Sequence, residues 1–212
     1  MIKVLERIRK TGIIPVVVMD DAKAAKELGQ ALVDGGLPCA EITFRTAAAE
    51  ESIRTIVKEF PDVLVGAGTV LTMEQAQRAI DAGAQFIVSP GFNPKIVDFC
   101  NEKGILITPG VQTPTEIEMA LEHGLNILKF FPAEPAGGLK MIKALAAAYV
   151  NVSFMPTGGI NAQNVKEYLA YDRIAACGGS WMVKKNLITA GRFDEIMAMV
   201  KEAAQIVKEV RG

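Results

Sequence analysis

The chain has 212 residues, 50% hydrophobic and 22% charged, and its 23 Lys+Arg against 24 Asp+Glu leave a net charge of -1. That length suits one domain, or at most two small ones, and buries a core without disulfide staples. The balanced charge excludes the basic footprint of a nucleic-acid binder, while 3 scattered cysteines and 1 histidine exclude a disulfide framework, a zinc knuckle and a multi-histidine metal site.

The chain opens on an amphipathic, charged segment, Met1–Lys10, which reads as an N-terminal helix and not as the apolar core of a signal peptide. Eight short apolar runs follow: Ile13–Val18, Cys39–Phe44, Leu64–Val65 leading to Thr69, Phe86–Val88, Leu106–Thr108, Ile127–Phe131, Val152–Met155 and Ile174–Cys177. Between them lie helical patterns at Ala22–Asp34, Ala48–Glu59, Met73–Asp81, Pro94–Glu102, Pro114–Glu122, Leu139–Ala148 and Ala162–Ala170. A last helix near Phe193–Val210 closes the chain. No apolar run reaches the roughly 20 residues of a membrane span. Free thiols without an export signal point to the cytoplasm.

Gly36, Gly83, Gly104 and Gly124 stand just past helix ends, where glycine takes a left-handed backbone cheaply. Thr46, Thr72, Asn93, Thr113 and Asn161 precede helices and read as N-caps. Repeated β–α units predict an α/β fold with a parallel sheet. Eight of them predict a closed (β/α)8 TIM barrel, a single domain over residues 1–212. An open flavodoxin-like or Rossmann sheet is the alternative, weakened because no G-x-G-x-x-G follows the first strand. In such barrels the chemistry sits at the C-terminal ends of the strands.

Lys129 lies inside an apolar run, between Leu128 and Phe130-Phe131. An ammonium buried without a partner is costly. Held neutral, the amine is a nucleophile toward carbonyl carbon and forms a Schiff base; a lysine that snorkels to solvent from a strand end is the equal alternative. Strand periodicity puts Cys39, Glu41, Thr43 and Arg45 on one face. Glu41 and Arg45 fit either a structural ion pair or a general acid/base beside a carboxylate clamp. Glu41 falls on the second candidate strand and Lys129 on the sixth, which face each other across an eight-stranded barrel. Two glycine clusters, Gly158-Gly159 and Gly178-Gly179-Ser180, are expected in the loops after strands seven and eight, where backbone N–H groups cradle phosphate. Gly66-Ala67-Gly68 is expected to follow strand three, either placing the Thr69 hydroxyl in the cavity or making only a tight turn. Gly137-Gly138 reads as a turn, and His123, at a helix C-terminus, as dipole compensation without a catalytic role.

Together Glu41-Ile-Thr-Phe-Arg-Thr46, Gly66-Ala-Gly-Thr-Val70, Lys129-Phe-Phe-Pro-Ala-Glu134, Pro156-Thr-Gly-Gly-Ile160 and Gly178-Gly-Ser-Trp181 resemble the class I 2-keto-3-deoxy-6-phosphogluconate aldolases, which are often also 4-hydroxy-2-oxoglutarate aldolases. The resemblance runs in order along nearly the whole chain. It implies a homotrimeric (β/α)8 barrel acting on a keto acid with no metal or organic cofactor. It makes Lys129 the Schiff-base lysine and Glu41 the acid/base. Arg45 and Thr69, with Thr157 nearby, would bind the pyruvate portion, and Gly158, Gly159, Gly179 and Ser180 the phosphate. Some relatives, including phosphogalactonate-cleaving ones, end the first strand with an arginine; Val18 or Met19 stands here, so that role does not carry over. The alternatives are a phosphogalactonate aldolase, an epimerase or isomerase barrel, whose usual metal ligands or His/Asp pairs are missing, and an inactive or engineered scaffold on the same barrel.

Overall fold

The computed structural model describes residues 1–212. The alternation of apolar and amphipathic segments becomes an alternation of strands and helices. The chain runs α1 (Ile2–Thr11), β1 (Ile13–Val17), α2 (Ala25–Asp34), β2 (Cys39–Thr43), α3 (Ala49–Glu59), β3 (Leu64–Gly68), α4 (Met73–Asp81), β4 (Phe86–Val88) and α5 (Pro94–Glu102). It continues through β5 (Leu106–Thr108), β6 (Gly110–Val111), α6 (Pro114–Glu122), β7 (Ile127–Phe130), α7 (Gly138–Ala148), β8 (Ser153–Pro156), α8 (Val165–Leu169), β9 (Cys177–Gly179), α9 (Lys185–Thr189) and α10 (Phe193–Arg211).

All strand pairings are parallel. A curled six-stranded sheet has the order β5-β4-β3-β2-β1-β9, and a three-stranded sheet the order β6-β7-β8. The Lys129 N–H donates to the Pro109 carbonyl at 2.9 Å, where β5 passes into β6. Isolated parallel bridges join Phe154 to Ile174 and Thr157 to Gly178. From β1 to β5 and from β6 to β8 consecutive strands are neighbours, without the reversal of strand order that marks an open doubly wound sheet.

Two apolar clusters hold the fold. The larger fills the space between strands and helices, with Ile13, Ile42, Ala67, Ile87 and Leu128 on the strand side. The smaller gathers the other strand faces: Ile14, Cys39, Leu64, Phe86, Val88, Ile127 and Met155, closed from below by Ile8 of α1. Cys39 and Ile127 stand two residues before Glu41 and Lys129, hence on the same faces one layer nearer the strands' N-terminal ends. The apolar inner layer is therefore the floor beneath the polar pair.

Caps and turns follow local chemistry. Thr113 and Glu116 form a reciprocal capping box at α6, and Thr72 and Asn93 cap α4 and α5. The glycines expected past helices do close them, Gly83 at φ 97° and Gly104 at φ 67°. Two expected caps differ. The Thr46 hydroxyl donates to the Met19 carbonyl instead, and α3 starts behind Ala48 with no side-chain cap. Asn161 accepts from the Gln163 and Asn164 N–H groups within a turn, so the helix expected from Ala162 starts only at Val165.

The last strand also moves. Expected at Ile174–Cys177, it lies at Cys177–Gly179, because the β1 register pairs Ile13 with Cys177 and Pro15 with Gly179. Gly178 and Gly179 are thus strand residues, not loop residues. So are Gly66 and Gly68, inside β3. A Cβ at Gly66 would meet the Phe86 ring at 2.3 Å, one at Gly178 the Thr157 hydroxyl at 2.3 Å, and one at Gly179 the Trp181 ring at 1.9 Å. Glycine is used here to admit a neighbour's side chain.

Candidate active site

Lys129 sits in β7, between Gly110 of β6 and Met155 of β8. It is 5% exposed. Glu41 sits in β2 between Val16 and Gly66 and is 2% exposed. Their side chains meet: Lys129 Nζ lies 3.8 Å from Glu41 Oε1. The Nζ also lies 4.8 Å from the centroid of the Phe131 ring, a cation–π distance. Lys129 therefore does not snorkel to solvent, and Glu41 is not the ion-pair partner of Arg45.

Glu41 Oε1 has no hydrogen-bond partner. A buried carboxylate oxygen without one is costly and rare; it marks a group placed to take a proton or a substrate hydrogen bond. Gly68 makes the placement possible, because a Cβ there would stand 2.0 Å from Oε1. The second unpartnered buried oxygen is Thr108 Oγ1, at the end of β5. Thr108 shares its strand face with Leu106, which packs on the inner floor. Sequence reasoning passed over Thr108, took Phe131 only as an apolar neighbour of Lys129, and set Gly68 after strand three. For Thr108 the signal was there: a hydroxyl two residues after a leucine facing inward.

Arg45 lies in the turn after β2, exposed, beyond the strand whose period placed it with Glu41. Its Nε donates to Thr69 Oγ1 at 3.3 Å. Thr69 directly follows β3 and holds φ 55°, in the left-handed region. Such strain in a non-glycine residue clusters at functional sites. The fold thus brings Arg45 and Thr69 together at the C-terminal ends of β2 and β3, above Glu41.

The second group forms at β8 and β9. Thr157 bridges to Gly178, and the Ala133 and Glu134 N–H groups donate to the Thr157 and Gly158 carbonyls at 2.8 and 3.0 Å. Gly159 holds φ 84°, and a Cβ there would stand 2.6 Å from Glu134 Cβ. Its carbonyl accepts from the side-chain amides of Asn161 and Asn164 at 3.2 and 3.0 Å. The Tyr168 hydroxyl donates to Glu134, tying α8 to the segment after β7. Backbone N–H groups of Gly159 and Ser180, both exposed, make no hydrogen bond within the protein. Because α8 is only 5 residues long and starts at Val165, its dipole adds little to this loop.

Cys39 lies on the Glu41 face but is fully buried, and burial pushes its thiol up and out of reactivity. His123 stands apart, 3.4 Å from Asp98 and edge-on to Phe92. A cleft of about 780 Å³ opens elsewhere, lined by residues of α1 and α10, and contains none of the residues above. The buried amine and carboxylate thus lie apart from that cleft. No helix is long and apolar enough to cross a membrane.

Comparison with known proteins gives a consistent result. A family model for KDPG and KHG aldolases matches residues 4–199. The chain is 51% identical over 207 residues to a 2-dehydro-3-deoxy-phosphogluconate aldolase of Treponema pallidum, covering 98% of this chain and 99% of that one. Among solved structures, the KDPG aldolase of Legionella pneumophila superimposes with a TM-score of 0.90 at 36% identity, covering 93% of this chain and 96% of that one. It holds pyruvate captured at low pH as a covalent carbinolamine. The Zymomonas mobilis 2-keto-3-deoxy-6-phosphogluconate aldolase with 3-phosphoglycerate also reaches 0.90, at 38% identity over 97% of each chain.

Proposed function

Since the chain belongs to the KDPG and KHG aldolase family, we propose that it cleaves 2-keto-3-deoxy-6-phosphogluconate reversibly to pyruvate and glyceraldehyde 3-phosphate through an imine on Lys129. It also cleaves 4-hydroxy-2-oxoglutarate to pyruvate and glyoxylate. The observation that carries this reading is the buried Lys129 amine facing an otherwise unpartnered Glu41 oxygen at 3.8 Å. The covalent pyruvate adduct of the Legionella relative supports it.

The amine, its proton passed to Glu41, attacks the C2 ketone. Glu41 returns the proton to the carbinolamine hydroxyl, which leaves as water and gives the iminium. As carboxylate again, Glu41 takes the proton of the C4 hydroxyl while the C3–C4 bond breaks and its electron pair flows into the iminium. The aldehyde departs. The enamine takes a proton at C3, and water hydrolyses the resulting iminium to pyruvate and free Lys129. The protonated imine is the electron sink, so the reaction calls on no metal or organic cofactor. The Phe131 ring beside Nζ suits a group that is cationic as ammonium and as iminium.

Arg45 and Thr69 take the substrate carboxylate, with Thr157 lining the same space. Gly158, Gly159, Gly179 and Ser180 hold the distal phosphate; the free N–H groups of Gly159 and Ser180 support this. We read the two sheets as one closed (β/α)8 barrel and one domain, in which β5 and β6 are halves of a strand bent at Pro109. The bridges from β8 to Ile174 and Gly178 favour that closure. The working form is a homotrimer in the cytoplasm.

Sodium borohydride with pyruvate tests the core of the reading. One reduced adduct per chain is expected, mapped to Lys129 by peptide mass. An adduct on another lysine, or full activity in Lys129→Ala, would overturn it.

A further inference from the structure

The cleft of about 780 Å³ opens at the N-terminal ends of the strands. Thr11 precedes β1, Gly36–Pro38 precede β2 and Asp62 precedes β3, and all line it. Five cations do so as well: Arg7 and Lys10 from α1, and Lys201, Lys208 and Arg211 from α10. Against them stands one acidic side chain, Asp62. Residues 7, 10 and 11 of α1 follow helical spacing, as do 201, 204, 205 and 208 of α10. Each helix thus turns one basic stripe toward the same space.

None of these five cations makes an ion pair, although others on the surface do, such as Lys26 with Glu59, Lys166 with Glu209 and Lys185 with Asp20. The two arginines are nonetheless fixed. The Arg211 guanidinium donates to the carbonyls of Leu169, Arg9, Ala175 and Ile174 at 2.7–3.3 Å. Arg7 donates to the Asp62 carbonyl at 2.5 Å and to Gln85 Oε1 at 3.2 Å. Neutral acceptors orient these charges without cancelling them. Gathering like charges costs free energy that a bound anion recovers. The cleft is not polar throughout: Leu37 and Val207 are buried in its wall, with Pro38 and Ala204 beside them.

We propose that this basal cleft binds a small oligophosphate of nucleotide size. The phosphates meet the lysines as point charges and Arg7 through the N–H groups it leaves free, with Arg211 adding its charge from behind, and the base lies against Pro38 and Ala204. The volume falls within the roughly 300–1,000 Å³ of small-molecule sites. This site shares no residue with the aldolase reading and stands or falls apart from it.

Isothermal titration calorimetry with ATP, tripolyphosphate and adenosine as probes tests the proposal. ATP should bind once per chain, tripolyphosphate more weakly and adenosine most weakly. The ATP affinity should fall as NaCl is raised. Lys201→Ala with Lys208→Ala, both exposed, should weaken ATP about tenfold, with the melting temperature and the borohydride-trapped pyruvate adduct unchanged. No heat with ATP at millimolar concentration would overturn the proposal, as would equal affinity in the double variant. Loss of ATP binding once Lys129 carries reduced pyruvate would move the ligand to the catalytic pocket and refute it. Tripolyphosphate binding as tightly as ATP would refute the nucleotide assignment. ATP that dissociates the oligomer would give the cleft to a subunit interface.

Discussion

Gly68→Ala separates the placement of Glu41 from the stability of the fold. The new Cβ would stand 2.0 Å from Glu41 Oε1 and 2.7 Å from both Cδ and Cγ. These atoms belong to the end of a side chain, so the carboxylate can swing away while β3 keeps its pairing with β2 and β4. The cost to folding is then near the lower end of the usual overpacking range, about 1 kcal/mol. The cost to catalysis is larger. An acid/base group contributes about 10²–10⁴-fold, and a carboxylate displaced by an ångström or more forfeits much of it. We expect kcat to fall at least about 10²-fold, or about 2.7 kcal/mol in activation free energy, with the melting temperature lowered by only a few degrees. Pyruvate release followed through lactate dehydrogenase gives kcat, and calorimetry gives the melting temperature. Glu41→Gln supplies the benchmark, and the two variants should fall within an order of magnitude of each other. Near-wild-type turnover in a folded Gly68→Ala protein would refute the role given to Glu41.

Four further outcomes follow from the geometry. Ser180→Ala should raise KM for the phosphorylated substrate about tenfold, the worth of a charge-assisted hydrogen bond, and leave 4-hydroxy-2-oxoglutarate kinetics unchanged; equal effects on both would remove Ser180 from the phosphate site. Gly159→Leu is the poorer probe, because its φ of 84° and the 2.6 Å approach to Glu134 predict damage to both substrates through the fold. Burial, then the Glu134 carboxylate, pushes the Tyr168 phenol above its usual value of 10.0. Its folded value is raised, so the stability it adds is present below pH 10 and lost as pH rises beyond; Tyr168→Phe should lower stability by about 1–3 kcal/mol at pH 7 and flatten the alkaline loss, and an unaltered melting curve would refute the bond's worth. Burial also pushes the Cys100 and Cys177 thiols up to about 12. A disulfide reagent at pH 8 should therefore leave all 3 native cysteines unmodified and label them at once in guanidinium; prompt labelling of the native protein would refute their burial.

The buried Lys129–Glu41 pair was legible because it breaks a local rule. A lysine and a glutamate inside apolar strands announce themselves without any knowledge of what lies opposite. The glycines were misplaced for the converse reason. Gly66, Gly68, Gly178 and Gly179 look like turn residues, and only the tertiary structure reveals that Phe86, Glu41, Thr157 and Trp181 fill the spaces beside them. Residue type records that a Cβ is missing and not whose atoms replace it. The two-residue β6 after Pro109 and the five-residue α9 were invisible, being too short for any period to register. Arg45 shows the same limit. Period two holds only while the strand lasts, and β2 ends at Thr43, so the turn and not the pleat carries Arg45 to Thr69.

The α1 segment that sets Ile8 against Ile14, Cys39, Leu64 and Phe86 closes one end of the space in which Glu41 and Lys129 meet. That floor leaves the C-terminal ends of the strands, beside Arg45 and Thr69, as the side of approach. On the proposed mechanism pyruvate stays bonded to Lys129 until water frees it, so departure has a fixed sequence: aldehyde first, pyruvate last. Pyruvate should accordingly inhibit competitively against the six-carbon substrate, and the aldehyde noncompetitively. The helix touches no reactant and does not set that order; what it adds is an apolar floor that keeps bulk water from the underside of the covalent intermediate.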